Sequence, residues 1–239
     1  VEEVGDFVPV AGALTINIGT LSAPWRDGML IAAQAAKAHA VPWVLDPVAH
    51  FATPYRAKAA QDLLAHAPSI IRGNASEIIA LAGGAGAGKG ADSGDRVSDA
   101  QVNATDLAVR QSCVVAVTGP VDSVTDGSRS ITVRGGSDLM PKVTALGCSL
   151  TAVMGGYAAV APPFDAAVAA LVHFAAAGER AAATASGPGR FAVGFLDQLH
   201  AIQAVFERGA VAVQAAARYV DAALFAERLQ LRVAGEAAL

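Results

Sequence analysis

The first half of the chain alternates short apolar segments with helical ones, and this alternation constrains the fold more than any other feature of the sequence. Short runs rich in β-branched residues that end at a glycine or a polar residue are typical of strands. A strand–helix alternation favours a parallel sheet with helices on both faces. Wholly apolar strands such as CVVAV at 113–117 fit the centre of such a sheet, buried on both sides. We therefore predict an α/β fold with a mostly parallel central sheet.

The predicted elements place one domain over residues 1–205. The predicted strands are 13–18, 42–45, 69–72, 113–118, 123–125 and 130–134. The predicted helices are 26–39, 54–67, 75–82, 99–111, 147–160, 164–184 and 189–205, and a further helix is indicated at the start of the chain. Residues 206–239 are rich in alanine and arginine, and we predict a helical C-terminal extension there.

Composition excludes several classes of protein. Apolar residues make up 54% of the chain and charged residues 16%, which excludes intrinsic disorder. The net charge of −4 comes without a basic stripe, so no nucleic-acid partner is expected. The longest strongly apolar stretch, 166–177, is shorter than the roughly 20 residues that a membrane span needs. Two cysteines do not make a disulfide framework, and the acidic N-terminus is unlike a secretory signal. We expect a cytoplasmic protein without a membrane partner.

Charged side chains lie close to the ends of two predicted strands, where ligands bind in parallel α/β sheets. Asp46 and Glu77 suit Mg²⁺, which takes one or two carboxylates together with phosphate oxygens. Alternatively, Asp46 ends a turn before Pro47 and Glu77 offsets the dipole of its helix. Arg72, at the end of a buried strand, suits a phosphate group, or else it pairs with a nearby acid.

The segment GCSLTAVM at 147–154 predicts a helix that begins at Gly147. Free N–H groups at a helix N-terminus can hold a transferring phosphoryl group. Cys148 would lie in the first turn, where the helix dipole lowers the pKa of a thiol. Alternatively, Cys148 is a small core residue. Cys113 enters an apolar strand, and we assign it to the core.

The segment 83–90 nearly matches a nucleotide-binding P-loop but departs from it twice. Gly90 follows Lys89 where the motif needs serine or threonine, and the segment follows a helix rather than a strand. We predict a flexible loop over 83–95.

Several motifs occur in a fixed order and together carry a family resemblance. They are LDPV at 45–48, ATPYR at 52–56, IIRGNASEIIAL at 70–81, VAVTGPVDSVTDG at 115–127, LMPKVTALGCSLTAVM at 139–154 and GPGRF at 187–191. Over about residues 1–200 the chain resembles the hydroxyethylthiazole kinases of the ribokinase-like superfamily. The resemblance implies phosphorylation of the hydroxyl of 4-methyl-5-(2-hydroxyethyl)thiazole in thiamine salvage, with ATP and Mg²⁺. It also implies a homotrimer with active sites at the subunit interfaces.

The resemblance also assigns roles to particular residues. Arg72 of RGN and Thr118 of VTG correspond to nucleotide-binding residues. Asn74 and Glu77 match the NxxE motif that organises Mg²⁺ and phosphate, and Asp46 resembles the second acid near the metal. Cys148 stands where most ribokinase-like enzymes have a catalytic aspartate and the thiazole kinases have cysteine.

The chain departs from the family pattern in ways that affect the expected site. The family's Gly-x-Gly-Cys segment, where the ligand meets the backbone, begins here with Ala145, and Gly147 keeps the second glycine. An alanine there is strained if its φ is positive. Ala49 and Phe51 replace two further glycines. We also expect the family's first strand, which precedes Val1 in the pattern, to be missing from this chain.

Two other interpretations stay open at this point. One is another reaction on the same fold, by a hydroxymethylpyrimidine-type kinase or an ATP-dependent NAD(P)H-hydrate dehydratase, although both usually carry aspartate at position 148. The other is a truncated, non-catalytic paralogue that acts through oligomerisation.

Overall fold

The computed structural model describes residues 1–88, 92–202, 204–207 and 210–213. Within it the chain divides into two compact units, one over residues 1–130 and one from residue 131 onward. Lys89 and Gly90 of the P-loop-like segment, and residues 214–239 of the expected extension, lie outside the described residues.

The first unit contributes five strands to the six-stranded central sheet, and the first four of them are parallel. Its strands are β1 (Leu14–Asn17), β2 (Trp43–Asp46), β3 (Ile70–Asn74), β4 (Val114–Thr118) and β5 (Val121–Thr125), in that spatial order. Strand β5 returns antiparallel beside β4. The carboxyl ends of β1 to β4 therefore lie along one edge of the sheet.

The helices of the first unit connect these strands. They are α1 (Val4–Phe7), α2 (Ala23–Ala38), α3 (Pro54–Leu64), α4 (Ala75–Leu81) and α5 (Val97–Gln111), with short 3-10 helices at Val8–Val10 and His50–Ala52. Proline occupies the first turn of α2 and of α3, where its missing N–H has no helical partner to lose. Helix α4 begins at Ala75, and the side chain of the preceding Asn74 caps it.

The core of the first unit lies around β2 and β3. Val44, Leu45, Ile70 and Ile71 are fully buried. Strands buried on both faces have apolar residues at consecutive positions, because neither side meets water. The prediction of a central parallel sheet is therefore confirmed.

The second unit is mainly helical. It contains most of β6 (Ser130–Arg134), a 3-10 helix at Met140–Lys142, the helices α6 (Leu146–Ala158), α7 (Pro163–Ala182) and α8 (Pro188–Ala201), and the antiparallel pair β7 (Ala204–Glu207) and β8 (Ala210–Val213). Helices α7 and α8 pack through Phe174 and Phe195, whose ring centroids lie 4.7 Å apart in an edge-on arrangement. Among the described residues, no helix combines the length and the apolar character needed to cross a bilayer.

The end of the described chain differs from the sequence expectation. The predicted helix over 189–205 stops at Ala201, and the described residues of the predicted helical extension over 206–239 form parts of β7 and β8. The sequence AVFE at 204–207 and AVAV at 210–213 places valine and phenylalanine at close intervals. Such residues favour extended backbone, and this preference outweighs the alanine content.

Candidate active site

A continuous chain of polar contacts joins the ends of the four parallel strands. Arg72 of β3 donates from Nη2 to Thr118 Oγ1 of β4 at 2.8 Å. Its Nη1 lies 3.4 Å from Asp46 Oδ2 of β2. Asn17 of β1 donates from Nδ2 to the same Asp46 oxygen at 2.7 Å. Adjacent parallel strands bring these residues together because the strands end at one edge.

The charged members of this cluster are buried. Asp46 has no exposed surface and Arg72 is 9% exposed. A buried charge is tolerated only when it is paired, so the ion pair considered for Arg72 is present. The buried Nε of Arg72 donates no hydrogen bond among the described residues. A guanidinium with an unused donor has capacity for an anionic partner such as phosphate.

Glu77 and Asn74 form a capping box at the start of α4. The Glu77 N–H donates to Asn74 Oδ1 at 2.9 Å, and the Asn74 N–H donates to Glu77 Oε2 at 2.8 Å. The other oxygen, Glu77 Oε1, accepts the N–H of Ala49 at 2.9 Å. Burial raises the pKa of Glu77 above its ordinary value, and the hydrogen bonds that Glu77 accepts from the N–H groups of Ala49 and Asn74 act in the opposite direction. Glu77 therefore joins the loop after β2 to the helix after β3.

Asp46 and Glu77 fit a magnesium ion only if other groups complete its coordination. Among the described residues no three histidine, cysteine, aspartate or glutamate side chains cluster as a metal site. Asp46 and Glu77 accept hydrogen bonds from neighbouring groups. A carboxylate has about four lone-pair sites, so Glu77, which accepts two of these hydrogen bonds, keeps capacity for a further contact. Two carboxylates suit Mg²⁺ when phosphate oxygens and water supply the remaining ligands.

Asp122 is a charged residue near this cluster that the sequence analysis did not select. Asp122 lies in β5, and its Oδ1 accepts at 2.9 Å the N–H of Gly119, which lies in the turn between β4 and β5. Burial raises the pKa of Asp122 to about 7, although the positive charge of Arg72 acts in the opposite direction. The available signal was a carboxylate four residues beyond Thr118, just past a strand end.

In the second unit, Ala145 caps α6 in a left-handed conformation, with φ 62° and ψ 12°. The positive φ that the sequence analysis named as the condition for strain at this alanine is therefore present. Gly147 and Cys148 lie in the first turn of the helix, which begins at Leu146, and Cys148 is partly exposed. Cys113, in the first unit, is buried as predicted, and desolvation raises the pKa of its thiol to about 12.

We expect Ala145→Gly to raise the free energy of unfolding by about 0.5–1 kcal/mol. A left-handed conformation costs an L-residue about 1–2 kcal/mol, and part of the gain is lost because glycine has more freedom in the unfolded chain. Denaturant unfolding measures the change. Ala152→Gly, at an exposed position inside α6, is the matched control and should lose about 1 kcal/mol. Equal losses in both variants would contradict the strain at Ala145.

Comparison with known proteins places the chain in a family. The hydroxyethylthiazole kinase family model matches residues 1–205. A hydroxyethylthiazole kinase of Roseobacter denitrificans is 62% identical over 198 residues, which cover 83% of this chain and 77% of that protein. The solved structure of a hydroxyethylthiazole kinase from Pyrococcus horikoshii has a TM-score of 0.77 and 35% identity, covering 89% of this chain and 80% of that one.

A more distant likeness concerns the fold alone. The pyridoxal kinase of Bacillus subtilis, solved as an ADP complex, has a TM-score of 0.54 and 23% identity, covering 70% of this chain and 63% of that one. These likenesses confirm the ribokinase-like α/β fold. With a family match over most of its length and a relative above 60% identity, the chain belongs to the hydroxyethylthiazole kinase family of phosphotransferases.

Proposed function

We propose that the chain transfers the terminal phosphoryl group of ATP to the hydroxyl of 4-methyl-5-(2-hydroxyethyl)thiazole, with Mg²⁺, in thiamine salvage. The observation that carries this proposal is the 62% identity to a protein named hydroxyethylthiazole kinase. The buried cluster at the strand ends supports it, since phosphoryl transfer needs mainly positioning and charge neutralisation. We further propose that the chain acts in the cytoplasm as a homotrimer.

Arg72 and Thr118 are the proposed nucleotide-binding residues. The Thr118 hydroxyl accepts from Arg72 and lies 3.3 Å from the carbonyl of Gly73, to which it donates. These contacts fix the direction of both side chains before any ligand binds. A guanidinium held in this way meets phosphate oxygens without reorganising, which favours a charged transition state.

Asp46 and Glu77 are the residues proposed to hold Mg²⁺, with Asn74 fixing Glu77 through the capping box. When bound, the ion would neutralise negative charge on the phosphate oxygens. The chain's own part is to keep two carboxylates buried, one at the end of β2 and one in the first turn of α4. Buried carboxylates attract a cation strongly because little water screens them.

In the second unit we propose Cys148 as the catalytic residue, with Gly147 offering backbone N–H groups and Ala145 contacting the thiazole substrate. In a loose transition state the attacking hydroxyl needs little help from a base. Cys148 therefore positions the hydroxyl more than it deprotonates it.

We expect Cys148→Ser to keep kcat within about tenfold of the wild type, because serine still offers a hydrogen-bonding group of similar size. Steady-state kinetics of thiazole-dependent ADP release measure the effect. Cys113→Ala is the control for loss of a thiol outside the proposed site. A Cys148→Asp variant faster than the wild type would contradict the positioning role and favour a base.

ADP release by the purified chain tests the proposed function. ATP, Mg²⁺ and the thiazole alcohol are supplied together, with blanks that omit the thiazole or the metal. ADP that depends on both supports the proposal. ADP that appears only with a hydroxymethylpyrimidine, or with a hydrated nicotinamide nucleotide, would show that the chain catalyses another reaction known for this fold. No turnover with any of them would leave a non-catalytic paralogue. Light scattering measures the mass expected of a trimer.

A further inference from the structure

Arg56, in the first turn of α3, binds backbone carbonyl groups in two different loops. Its Nη2 donates to the carbonyl of Ile18 at 2.7 Å and also to that of Val48. Its Nε donates to the carbonyl of Ala49 at 3.1 Å. One guanidinium thus connects the loop that follows β1 to the loop that follows β2.

These two loops carry the ends of strands that supply the buried cluster. Ile18 comes directly after Asn17, and its N–H donates to the carbonyl of Asp46 at 3.2 Å. Val48 follows Asp46 by two residues. Holding the carbonyls of Ile18 and Val48 therefore restricts both partners of the Asn17–Asp46 hydrogen bond.

The peptide groups of Ala49 are held on both sides. Its N–H donates to Glu77 Oε1 and its carbonyl accepts from Arg56. Ala49 has φ 48° and ψ 36°, a left-handed conformation that an alanine adopts only at a cost. Such a conformation persists when surrounding contacts determine it, and here Arg56 and Glu77 provide those contacts.

We propose that Arg56 is a positioning residue of the phosphotransferase, which sets Asp46 in place by fixing the loops after β1 and β2. The inference rests on the function proposed above, because it assumes that Asp46 serves the reaction. Three carbonyls need several donors in a fixed plane, and only a guanidinium supplies them. A lysine at this position keeps the positive charge but lacks the several donors in one plane.

Arg56→Lys tests the proposal through kinetics. We expect kcat to fall about tenfold or more, with a smaller change in KM for the thiazole, because a displaced group costs rate more than binding. Arg110→Lys is the matched control, since Arg110 Nη2 also donates to a carbonyl, that of Ala82, at 2.9 Å. Equal activity of Arg56→Lys and Arg110→Lys would overturn the proposal.

A second variant separates positioning from simple stabilisation. Ala49→Gly relieves the left-handed strain, so the loop after β2 needs less support. We expect Arg56→Lys/Ala49→Gly to recover several-fold of the lost kcat. If the double variant regains thermal stability but no kcat, Arg56 acts only on stability and the proposal is wrong.

Amide hydrogen exchange tests the same inference without turnover. In Arg56→Lys the amides of Ala49, His50 and Ala52 should exchange about tenfold faster, while those of β4 stay as in the wild type. Unchanged exchange in the loop would overturn the proposal. If the wild type itself shows no thiazole-dependent ADP, the proposed function fails separately. The affinity for a magnesium–ATP analogue then decides: weaker binding by Arg56→Lys supports positioning, and equal binding rejects it.

Discussion

Arg72→Met is expected to abolish most phosphotransferase activity and to destabilise the chain at the same time. Asp46 has no exposed surface and lies 3.4 Å from the guanidinium. Removing one member of a buried ion pair costs about 3–5 kcal/mol, because the other charge stays buried without compensation. In the nucleotide-binding role proposed for Arg72, loss of this donor to phosphate oxygens should lower kcat by about 100- to 1,000-fold. Denaturant unfolding and ADP release measure the two effects.

Two further variants separate these effects. Arg72→Met/Asp46→Asn removes both charges, so its stability should exceed that of Arg72→Met while its activity stays low. Thr118→Val removes the hydroxyl that accepts from Arg72 at 2.8 Å and leaves the ion pair intact. It should therefore lose less stability than Arg72→Met. A double variant no more stable than Arg72→Met would show that the buried charge of Asp46 is not the cause.

Glu77→Gln is the second substitution with a large expected effect. In the wild type the Glu77 carboxylate accepts hydrogen bonds from the N–H groups of Ala49 and Asn74. Glutamine keeps the shape of the side chain, but its NH₂ group has to face one of these N–H groups and cannot accept from it. A buried donor left without an acceptor costs about 1–3 kcal/mol. Activity should fall by about 10- to 100-fold, as when residues that support a metal site are replaced. Unfolding and magnesium-dependent ADP release measure both.

The raised pKa of Glu77 predicts how the stability difference between the wild type and Glu77→Gln changes with pH. Burial raises the pKa of Glu77 above its ordinary 4.5, so the folded chain binds more protons than the unfolded chain above that pH. Its contribution to stability is full below pH 4.5 and is lost as the pH rises through the folded pKa. The stability gap between wild type and Glu77→Gln should therefore narrow with rising pH. A gap that widens would contradict the raised pKa.

Asp99→Asn is the matched control for Glu77→Gln. Asp99 occupies the same third position in the first turn of α5, where its Oδ2 accepts the N–H of Arg96 at 3.1 Å, but it is exposed. Water can replace the lost contact there, so the loss of stability should stay below about 1 kcal/mol. Equal losses of stability in the two variants would mean that helix capping alone accounts for the stabilising effect of Glu77.

Most of the fold followed from local patterns. Each strand and helix predicted up to residue 201 is present at its place, with ends that differ by a few residues. β-branched runs and helix caps act over short distances, which is why one sequence reveals them. The strand pair at 204–213 was missed because alanine content outweighed its valines in the sequence analysis.

The site was predictable to a smaller extent. Parallel strands bring Asp46, Arg72 and Thr118 to one edge, and their contact follows from the alternation of strands and helices. Arg56 belongs to the ATPYR motif at 52–56 but was not selected as a site residue, because an arginine in the first turn of a helix resembles any solvated charge. Its three carbonyl partners lie 7, 8 and 38 residues away in sequence. Contacts of that kind depend on tertiary packing and leave no local pattern.

The double use of Glu77 has an evolutionary consequence. Its two oxygens hold the loop after β2 and the start of α4, so the side chain contributes to the stability of the fold whether or not the chain catalyses. A lineage released from selection for catalysis is still expected to lose stability by replacing it, and the same holds for replacing only one member of the pair of Asp46 and Arg72. In a descendant of this fold, an intact NxxE motif therefore records selection for a stable fold as much as selection for turnover.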